Sequence, residues 1–438
     1  MILSDRLLSI LESWRAAPAW RVAFSGGLDS TVLLHLLAEL RGREALPSIS
    51  AIHVAHGLQA AAEAWPAHCR AACEWLGVDL QVVHVTVDRS TASLEQAARD
   101  ARYAAFAEAL LPGEILLTAQ HCDDQAETLL FRLLRGAGVR GLGGIPSSRP
   151  LGEGRLVRPL LNASRAELEA WARSRDLQWV EDASNLDTRY ARNYLRQQIM
   201  PLLTAHWPRA AVSLSRAAEH CREADALLGE LAEQDLAPAR DSSPWPWLSL
   251  SSLRLAPLLA LSEARQRNAM RHWLAPLTRL PDSEHWAGWV CLRDAADDRA
   301  PVWRLRDGEL HRAAGRLWWL SGSWLSSSYL DAGFAGGRVD LPENGFVRWE
   351  GSLPPGELRL AYRQGGERLV LPGRGARDLK RLLNENGVPS FVRDRLPLLL
   401  RGDELLAVAN MPVLRATEVD GCLHWECPRA QLGFELPD

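Results

Sequence analysis

A glycine-rich segment near the start of the chain has residue types and spacing that suit phosphate chemistry. The segment Ser25-Gly-Gly-Leu-Asp-Ser30 follows a short apolar run, Val22–Phe24, and precedes an apolar stretch with the length of a buried helix. Backbone N–H groups at a helix start favour anions, and glycine lets the backbone turn them onto one phosphate. Asp29 suggests a bridging Mg²⁺, because a carboxylate alone repels phosphate. The alternative is an ordinary strand-to-helix turn. A Walker A loop is excluded, since its lysine is missing here.

A second group of chemically capable residues lies further along the chain. The apolar run Ile115–Ala119 leads into a helix whose start carries His121, Asp123, Asp124 and Glu127. The spacing of Asp124 and Glu127 places them on one helix face. Two acids beside a phosphate site could hold Mg²⁺ or bind a cationic substrate. The alternative is helix capping, which stabilises a helix by roughly 0.3–1 kcal/mol per acid. His121 and Asp123 are candidates for a general base.

Strands that alternate with helices must position both groups. The predicted strands are Val22–Phe24, Ile49–Val54, Leu80–Val87 and Ile115–Ala119, with helices between them, one opened by a capping box of Ser93 and Gln96. This order predicts an α/β domain with a doubly wound, mostly parallel sheet. Such sheets bind ligands at the carboxyl ends of their strands, so the glycine-rich segment, His56 and His121 should share one crevice.

Charge and cysteine content narrow the class of protein. The net charge of −4 does not indicate a nucleic-acid partner, but arginine-rich runs at 189–216 and 359–401 suit phosphate; the alternative is a solvated face. Seven scattered cysteines argue against a disulfide framework, and Cys69 and Cys73 fit a helix core better than a metal site. No run approaches the ~18 apolar residues of a membrane helix. We therefore expect a cytoplasmic protein without a membrane segment.

The later part of the chain predicts two further domains. A helix over 209–235 leads to a mainly helical middle domain that is rich in tryptophan and arginine. The tryptophans fit core packing better than stacking on RNA bases. Residues 326–356 have the composition of a linker, and a small α+β domain with a basic face and one helix, Asp378–Asn386, follows. The predicted domains are a catalytic domain at 1–208, a middle substrate-binding domain at 209–330 and a C-terminal domain at 355–432.

Several motifs, taken together and in order, identify a family. The chain resembles tRNA(Ile)-lysidine synthetases, which are N-type ATP pyrophosphatases of the PP-loop superfamily. The resemblance is carried by the glycine-rich segment, His53–Leu58, Ala101–Tyr103, His121–Thr128, Arg135–Gly138, Glu181–Asp187, Tyr190–Asn193, Arg196, Arg363–Leu369, Leu379–Leu383, Val388–Pro389, Arg393–Leu398 and Gly402–Val408. The chain departs from the family's usual residues at Ala55, Gln59, Cys122 and Arg377.

The resemblance implies a reaction. ATP with Mg²⁺ adenylates C2 of the wobble cytidine in a tRNA(Ile) with a CAU anticodon, and the ε-amine of L-lysine then displaces AMP to give lysidine. Codon reading changes from AUG to AUA, and charging changes from methionine to isoleucine. No obligate protein partner is implied.

The resemblance also implies roles for single residues. Catalysis is expected from Asp29, Arg102, Asp124 and Glu127, with Asp29 also the Mg²⁺ ligand and Asp124 and Glu127 the lysine site. ATP binding is expected from Ser25, Gly26, Gly27, Leu28, Asp29, Ser30 and His56. Contacts with tRNA are expected from Arg192, Arg196, Arg363, Lys380, Arg381 and Arg393.

Three rival functions remain open from the sequence. An amidotransferase of the same superfamily is expected to need an N-terminal cysteine, and the chain starts Met1-Ile2. A tRNA thiolase is expected to need a cysteine pair, whereas Cys122 stands alone beside the acids. A tRNA-binding module with a decayed nucleotide site would not need the intact loop and acids.

Overall fold

The protein consists of two compact units, Met1–Ala226 and Leu227–Asp438. The computed structural model describes residues 3–55, 65–87, 94–182, 187–280, 285–296, 299–326 and 329–428. Among the described helices, none combines the length and apolarity that crossing a membrane requires.

The first unit is built on a six-stranded sheet. Its strands are β1 (Ala19–Ala23), β2 (Ser48–Ala55), β3 (Asp79–His84), β4 (Ile115–Leu117), β5 (Ser148–Leu151) and β6 (Gly154–Val157). The order is β3-β2-β1-β4-β6-β5, and every neighbouring pair is parallel except β5 with β6. The predicted doubly wound, mostly parallel sheet is confirmed, and the β5–β6 hairpin adds an antiparallel edge that the sequence analysis did not predict.

Helices cover both faces of this sheet. They are α1 (Leu3–Leu11), α2 (Leu28–Arg41), α3 (Trp65–Leu76), α4 (Leu94–Ala109), α5 (Cys122–Leu134), α6 (Val139–Leu142), α7 (Arg165–Arg173), α8 (Ala191–Tyr194), α9 (Met200–His206) and α10 (Ala210–Leu236). Strand β4 shows the two layers: Ile115 and Leu117 join a core with α1, α2 and α7, whereas Leu116 joins a separate core with α4. An apolar residue at every strand position is what a sheet buried on both faces requires.

The order of the strands fixes the place of a binding crevice. The chain first moves from β1 outward to β2 and β3, and then returns to lay β4 on the other side of β1. In doubly wound sheets this reversal leaves a crevice beyond the carboxyl ends of the two central strands. The loops after β1 and β4 carry the glycine-rich segment and His121, so both predicted groups lie at this crevice.

The middle part of the second unit combines helices with a sheet. Helices α11 (Leu255–Leu259), α12 (Glu263–Leu274) and α13 (Ala287–Asp294) accompany an antiparallel sheet of β7 (Ser252–Arg254), β8 (Val302–Arg304), β9 (Glu309–Ala313) and β10 (Arg316–Leu320) in the order β7-β10-β9-β8. The sequence analysis did not predict this sheet. Most tryptophans here are buried in two cores, including Trp289, Trp318 and Trp319 at 2% exposure or less, so core packing explains them.

The C-terminal part of this unit contains two sheets. Its strands are β11 (Asp331–Phe334), β12 (Arg338–Asp340), β13 (Phe346–Gly351), β14 (Leu358–Ala361), β15 (Arg368–Leu371), β16 (Gly375–Asp378), β17 (Leu398–Arg401), β18 (Glu404–Val408) and β19 (Gly421–Glu426), with helices α14 (Leu379–Glu385) and α15 (Ser390–Arg393). The sheet orders are β11-β14-β17-β18-β15-β16 and β12-β13-β19. The helix predicted at Asp378–Asn386 is confirmed, with Asp378 accepting the Arg381 N–H as its N-cap.

The prediction that residues 326–356 form a linker is wrong. Strands β11, β12 and β13 lie within this stretch. Strand β11 pairs with β14, β12 pairs with β13, and β13 also pairs with β19. Phe334, Leu341 and Val347 are buried in the same core as Trp245 and Leu398. Short strands separated by glycine and proline have a linker-like composition, and this similarity explains the error.

Candidate active site

The shape of the glycine-rich loop between β1 and α2 is fixed by contacts with neighbouring segments and by hydrogen bonds inside the loop. Gly26 has φ +80°, a left-handed conformation that glycine adopts without steric cost, and a Cβ there would lie 3.1 Å from Sγ of Cys69. The Gly26 carbonyl accepts a hydrogen bond from the Val180 N–H at 2.9 Å. Inside the loop, Ser30 Oγ donates to the Gly27 carbonyl at 3.0 Å and lies 3.0 Å from Ser25 Oγ. Hydrogen bonds within the protein therefore fix the shape of the loop.

The start of α2 offers backbone donors to an anion. Helix α2 begins at Leu28 with Gly27 as its N-cap, and no side chain caps it. The N–H groups of its first turn therefore have no partner within the helix. Ser25 is exposed, whereas Leu28 is 5% exposed and packs in the core, so Leu28 can serve a ligand only through its backbone. His56, also predicted for ATP binding, lies outside the described residues.

Two buried residues hold the loop, and the sequence analysis did not assign them a role. His53 is 4% exposed and donates from Nδ1 to the Phe24 carbonyl at 2.8 Å, because a carbonyl oxygen can only accept. Cys69 on α3 places Sγ 3.5 Å from the same nitrogen. The available signal for His53 was its place in the motif His53–Leu58.

Asp29 has the properties expected of a metal ligand. Its Oδ1 is buried and has no hydrogen-bond partner among the described residues. Its Oδ2 lies 3.6 Å from Nη1 of Arg165 and 3.6 Å from Nε2 of His121. A carboxylate oxygen without a partner beside free helix N–H groups suits a Mg²⁺ ion shared with phosphate oxygens. Within the described ranges, no group of three or more His, Cys, Asp or Glu side chains could hold a metal ion. Arg165, exposed beside Asp29, was not identified from the sequence.

His121 links Asp29 to the acidic pair. Its buried ring places Nε2 3.6 Å from Asp29 Oδ2 and 3.5 Å from Asp124 Oδ2, and Nδ1 lies 3.5 Å from Asp123 Oδ2. Burial alone would lower the pKa of His121, but the carboxylates of Asp124, Asp123 and Asp29 raise this pKa to about 10. An imidazolium cannot accept a proton, so the hypothesis that His121 is the general base is not supported.

The protonation state of His121 also determines which hydrogen bond its Nδ1 makes. The Asp123 N–H lies 3.2 Å from Nδ1 and caps α5 only when the ring is neutral and Nδ1 has a free lone pair. In the imidazolium, Nδ1–H is directed to the Asp123 carboxylate. Asp123 Oδ2 also accepts the Arg165 N–H at 2.8 Å, at the start of α7. These contacts hold the pKa of Asp123 below its usual range despite burial, so Asp123 is a weak base.

Asp124 and Glu127 each hold the same two arginines. Oδ1 of Asp124 accepts from Nη2 of Arg192 at 3.0 Å and from Nη2 of Arg196 at 2.8 Å. Glu127 accepts from Nε of Arg192 at 3.2 Å and from Nε of Arg196 at 2.6 Å. The side chains of the two acids are 12% and 2% exposed. Burial alone would raise the pKa of Asp124, but His121, Arg192 and Arg196 hold it below its usual range. The acids predicted to bind lysine therefore form a cation site, and the cations come from arginines predicted to contact tRNA.

Helix capping and cation binding are both present at this site. Asp124 Oδ2 accepts the His121 N–H at 3.1 Å, which caps the start of α5, while Oδ1 binds the arginines. The arginines come from α8 and from a π-helical turn at Leu195–Ile199 that joins α8 to α9. Glu127 has no part in the cap, so its burial is explained by cation binding alone.

The remaining predicted residues divide between exposed and structural positions. Arg102 on α4 is exposed, and the titratable groups around it are Tyr103, Arg99 and Asp182. In the second unit, Lys380 and Arg381 on α14 are exposed, and Arg381 pairs with Glu385 at 2.8 Å.

Two other predicted tRNA contacts are tied to the C-terminal fold. Arg393 donates from Nε to the Val388 carbonyl at 2.8 Å, and its guanidinium also bonds Asn384. Arg363, with a side chain 18% exposed, lies 3.7 Å from Glu367 and 3.8 Å from Asp394. The structure therefore leaves Lys380 and Arg381 more accessible than Arg363 and Arg393.

Cys122 does not have the properties of a reactive cysteine. It is 3% exposed, and burial, followed by the charge of Asp123, raises the pKa of its thiol to about 11. Reactive cysteines are accessible and have a lowered pKa. This environment argues against the thiolase alternative.

Comparisons with known proteins agree along nearly the whole chain. Three family models match: a PP-loop domain at residues 2–203, a TilS substrate binding domain at 253–318 and a TilS substrate C-terminal domain at 358–427. A tRNA(Ile)-lysidine synthase from Pseudomonas fluorescens (strain Pf0-1) is 60% identical over 97% of this chain and 96% of its own. The protein of that name from Pseudomonas aeruginosa is 60% identical over 99% of both chains. The one from Escherichia coli O157:H7 is 39% identical over 89% of this chain and 91% of its own.

Proposed function

The chain belongs to the tRNA(Ile)-lysidine synthase family, and we propose the residues by which it ligates lysine to tRNA(Ile). The reaction joins the ε-amine of L-lysine to C2 of the wobble cytidine at the expense of ATP. It proceeds through an adenylated cytidine and releases pyrophosphate and AMP. The protein is thus an ATP-dependent ligase with a PP-loop domain.

The glycine-rich loop is the proposed pyrophosphate site. The first-turn N–H groups of α2 have no partner within the helix, and Gly26 and Gly27 allow phosphate to approach the backbone closely. As cytidine attacks the α-phosphorus, negative charge grows on the leaving pyrophosphate, and fixed donors stabilise that charge without reorganisation. Asp29 would hold Mg²⁺, which would neutralise part of the same charge.

Asp124 and Glu127 are the proposed lysine site. The observation that carries this assignment is that two buried carboxylates already bind two cations beside the loop that binds an anion. A lysine ammonium has the charge that this pair accepts, and L-lysine binds here by replacing part of the guanidinium contact. Fixing the amine beside the activated cytidine turns a bimolecular attack into a positioned one.

His121 is the proposed link between the two halves of the site. A buried imidazolium between Asp29 and Asp124 keeps both carboxylates ionised and fixes their separation. Its role is positioning, since its proton is already held by carboxylates.

We also propose how substrates are divided between domains. The catalytic domain at 1–208 carries the chemistry, and the domains at 209–330 and 355–432 bind tRNA(Ile) with its CAU anticodon. Lys380 and Arg381 are exposed and accessible to phosphates, whereas Arg363 and Arg393 shape the surface beside them. Arg102, exposed on α4, is proposed as a phosphate contact. Because its tRNA substrate works in translation, we place the enzyme in the cytoplasm.

One incorporation assay tests the proposal. The protein is incubated with unmodified tRNA(Ile) transcript, ATP, Mg²⁺ and radiolabelled L-lysine. The expected result is label in the RNA, with one AMP and one pyrophosphate released per lysine. A transcript with uridine in place of the wobble cytidine is the matched control and should stay unlabelled. Pyrophosphate release without label in the RNA, or equal label in the control, would overturn the proposal.

A further inference from the structure

A second concentration of positive charge lies in the first unit, around Tyr103 on α4. The guanidinium carbons of Arg99 and Arg149 lie 4.8 Å and 4.9 Å from the centre of the Tyr103 ring. Nη2 of Arg99 also lies 3.5 Å from the phenol oxygen. Arg99, Tyr103 and Arg149 are partly exposed. An aromatic ring thus holds two guanidinium groups together at the surface, where their like charges would otherwise separate them.

A third arginine, Arg158, also interacts with Tyr103. Arg158 is 3% exposed and is anchored by a 2.8 Å hydrogen bond from Nη1 to the Pro146 carbonyl. Burial alone would raise the pKa of Tyr103, but Arg99, Arg158 and Arg149 lower it. Three guanidinium groups around one phenol give this surface a positive local potential. Such a potential attracts an anion, and a planar guanidinium binds phosphate oxygens in pairs.

This cluster lies near the crevice, because Arg149 and Arg158 are next to the carboxyl end of β6. Arg158 follows β6 directly, and β5 begins opposite the end of β6 with the pair Ser148 and Val157. The cluster therefore lies toward the carboxyl edge of the sheet, near β6. Neighbouring strands are ~4.8 Å apart, so β6 is roughly 10 Å from β1 and its phosphate loop. The phosphate loop follows β1, and β4 lies between β1 and β6.

We propose that Arg99 and Arg149, held by Tyr103 and supported by Arg158, bind a backbone phosphate of the RNA strand that carries the wobble cytidine. This inference rests on the proposed function. The pyrophosphate end of ATP occupies the loop after β1, and the RNA enters from the β4–β6 side. A polynucleotide that presents one base to ATP extends its neighbouring phosphates away from the loop, toward this cluster. The cluster is thus an RNA site and not a second site for ATP.

The test is the double variant R99Q/R149Q, measured against the charge-matched control R43Q/R173Q. Arg43 follows the end of α2 and pairs with Glu39, and Arg173 ends α7 and pairs with Glu169, whereas both helices begin at the crevice. Binding of unmodified tRNA(Ile) transcript and of its isolated anticodon stem-loop is followed as a function of salt. In R99Q/R149Q we expect about tenfold weaker binding of both RNAs and a salt slope smaller by about 0.7 for each phosphate that the protein no longer neutralises. The KM for ATP should stay unchanged, and the control should match the unaltered protein.

The lysine variant R99K/R149K separates charge from folding. It keeps both charges, so it should retain most of the RNA affinity and the salt slope. If the two arginines were only structural, both variants would lose RNA affinity. An unchanged RNA affinity and slope in R99Q/R149Q would overturn the proposal, as would a raised KM for ATP with normal RNA binding. The unaltered protein must first label the transcript with lysine, and failure at that step would count against the proposed function instead of this site.

Discussion

Two pairs of basic residues that look alike in the sequence have opposite surroundings in the structure. Arg192 lies on α8 and Arg196 lies four residues later in the π-helical turn that follows, whereas Lys380 and Arg381 lie side by side on α14. Both pairs were predicted to contact tRNA. The first pair is bound to two buried carboxylates, whereas the second is exposed to solvent.

The difference teaches that burial decides what a charge does. Removing one partner of a buried ion pair leaves an uncompensated charge and costs about 3–5 kcal/mol, whereas an exposed pair contributes about 0–1 kcal/mol. Charges at the crevice should therefore affect chemistry and stability together. Charges on α14 should affect only affinity for a polyanion, in a salt-dependent way.

The largest effect is expected from Asp29→Asn at the crevice. The amide keeps the shape of the side chain but is a poor Mg²⁺ ligand, and we expect lysine incorporation to fall by at least ~10²-fold. Single-turnover incorporation and pyrophosphate release measure this loss, and circular dichroism checks that the variant is folded, because the substitution removes the charge that Asp29 Oδ2 presents to His121 and Arg165. The exposed Asp79→Asn is the matched control. A folded Asp29→Asn protein with normal turnover would refute the loop assignment.

Glu127→Gln is the most direct test of the buried half of the comparison. The glutamine leaves Arg192 and Arg196 with one carboxylate, so we expect a loss of about 3 kcal/mol in the free energy of unfolding and a raised KM for lysine. Glu385→Gln, which breaks the exposed pair with Arg381, is the control and should cost less than ~0.5 kcal/mol. Denaturant unfolding compares the two variants. Equal losses would show that burial does not separate the two regions.

A substitution in the glycine-rich loop tests whether ATP binding depends on the backbone shape of that loop. Gly26→Ala forces φ +80° on an alanine and brings its Cβ 3.1 Å from Cys69 Sγ, and the left-handed conformation alone costs about 1–2 kcal/mol. We expect the KM for ATP to rise about tenfold while the KM for lysine stays within twofold. Gly315→Ala, at φ +69° in the β9–β10 turn with open space around it, carries the same backbone cost without touching the loop. If both variants changed the KM for ATP equally, the loop's shape would not be the cause.

Much of this architecture follows from local patterns in the sequence. The alternation of strands and helices predicted a doubly wound, mostly parallel sheet, and the glycines after Phe24 predicted a strand-to-helix turn, which is the loop between β1 and α2. Strand order then brought the loop and His121 to one edge. These features depend on residues close together in the chain, where periodicity and turn chemistry are strong signals.

The parts that the sequence did not predict depend on residues far apart in the chain. The pairing of Glu127 with Arg196 joins positions 69 residues apart, so spacing could assign each residue a charge but not a partner. The shared crevice of the loop and His121 was predicted, but the contact between His121 Nε2 and Asp29 Oδ2 was not, because strand ends fix an edge of the sheet and not a pair of atoms. Residues 326–356 were misjudged because β11 and β13 are stabilised by β14 and β19, and composition does not reveal pairing across such distances.

The smallest effect is expected from substituting the exposed pair, Lys380 and Arg381. In K380Q/R381Q, the free energy of unfolding should change by less than ~0.5 kcal/mol, because Arg381 pairs with Glu385 at the surface and Lys380 is exposed to solvent. Affinity for tRNA(Ile) should fall about tenfold at low salt and converge on the unaltered protein at high salt, with a slope smaller by about 0.9 for each duplex phosphate that is no longer neutralised. Titration of tRNA binding across a salt series measures both quantities, and ATP-dependent lysine incorporation at saturating tRNA should be unchanged. Reduced turnover at saturating tRNA would mean that α14 acts on the chemistry, and the division between a buried catalytic edge and an exposed binding face would then fail.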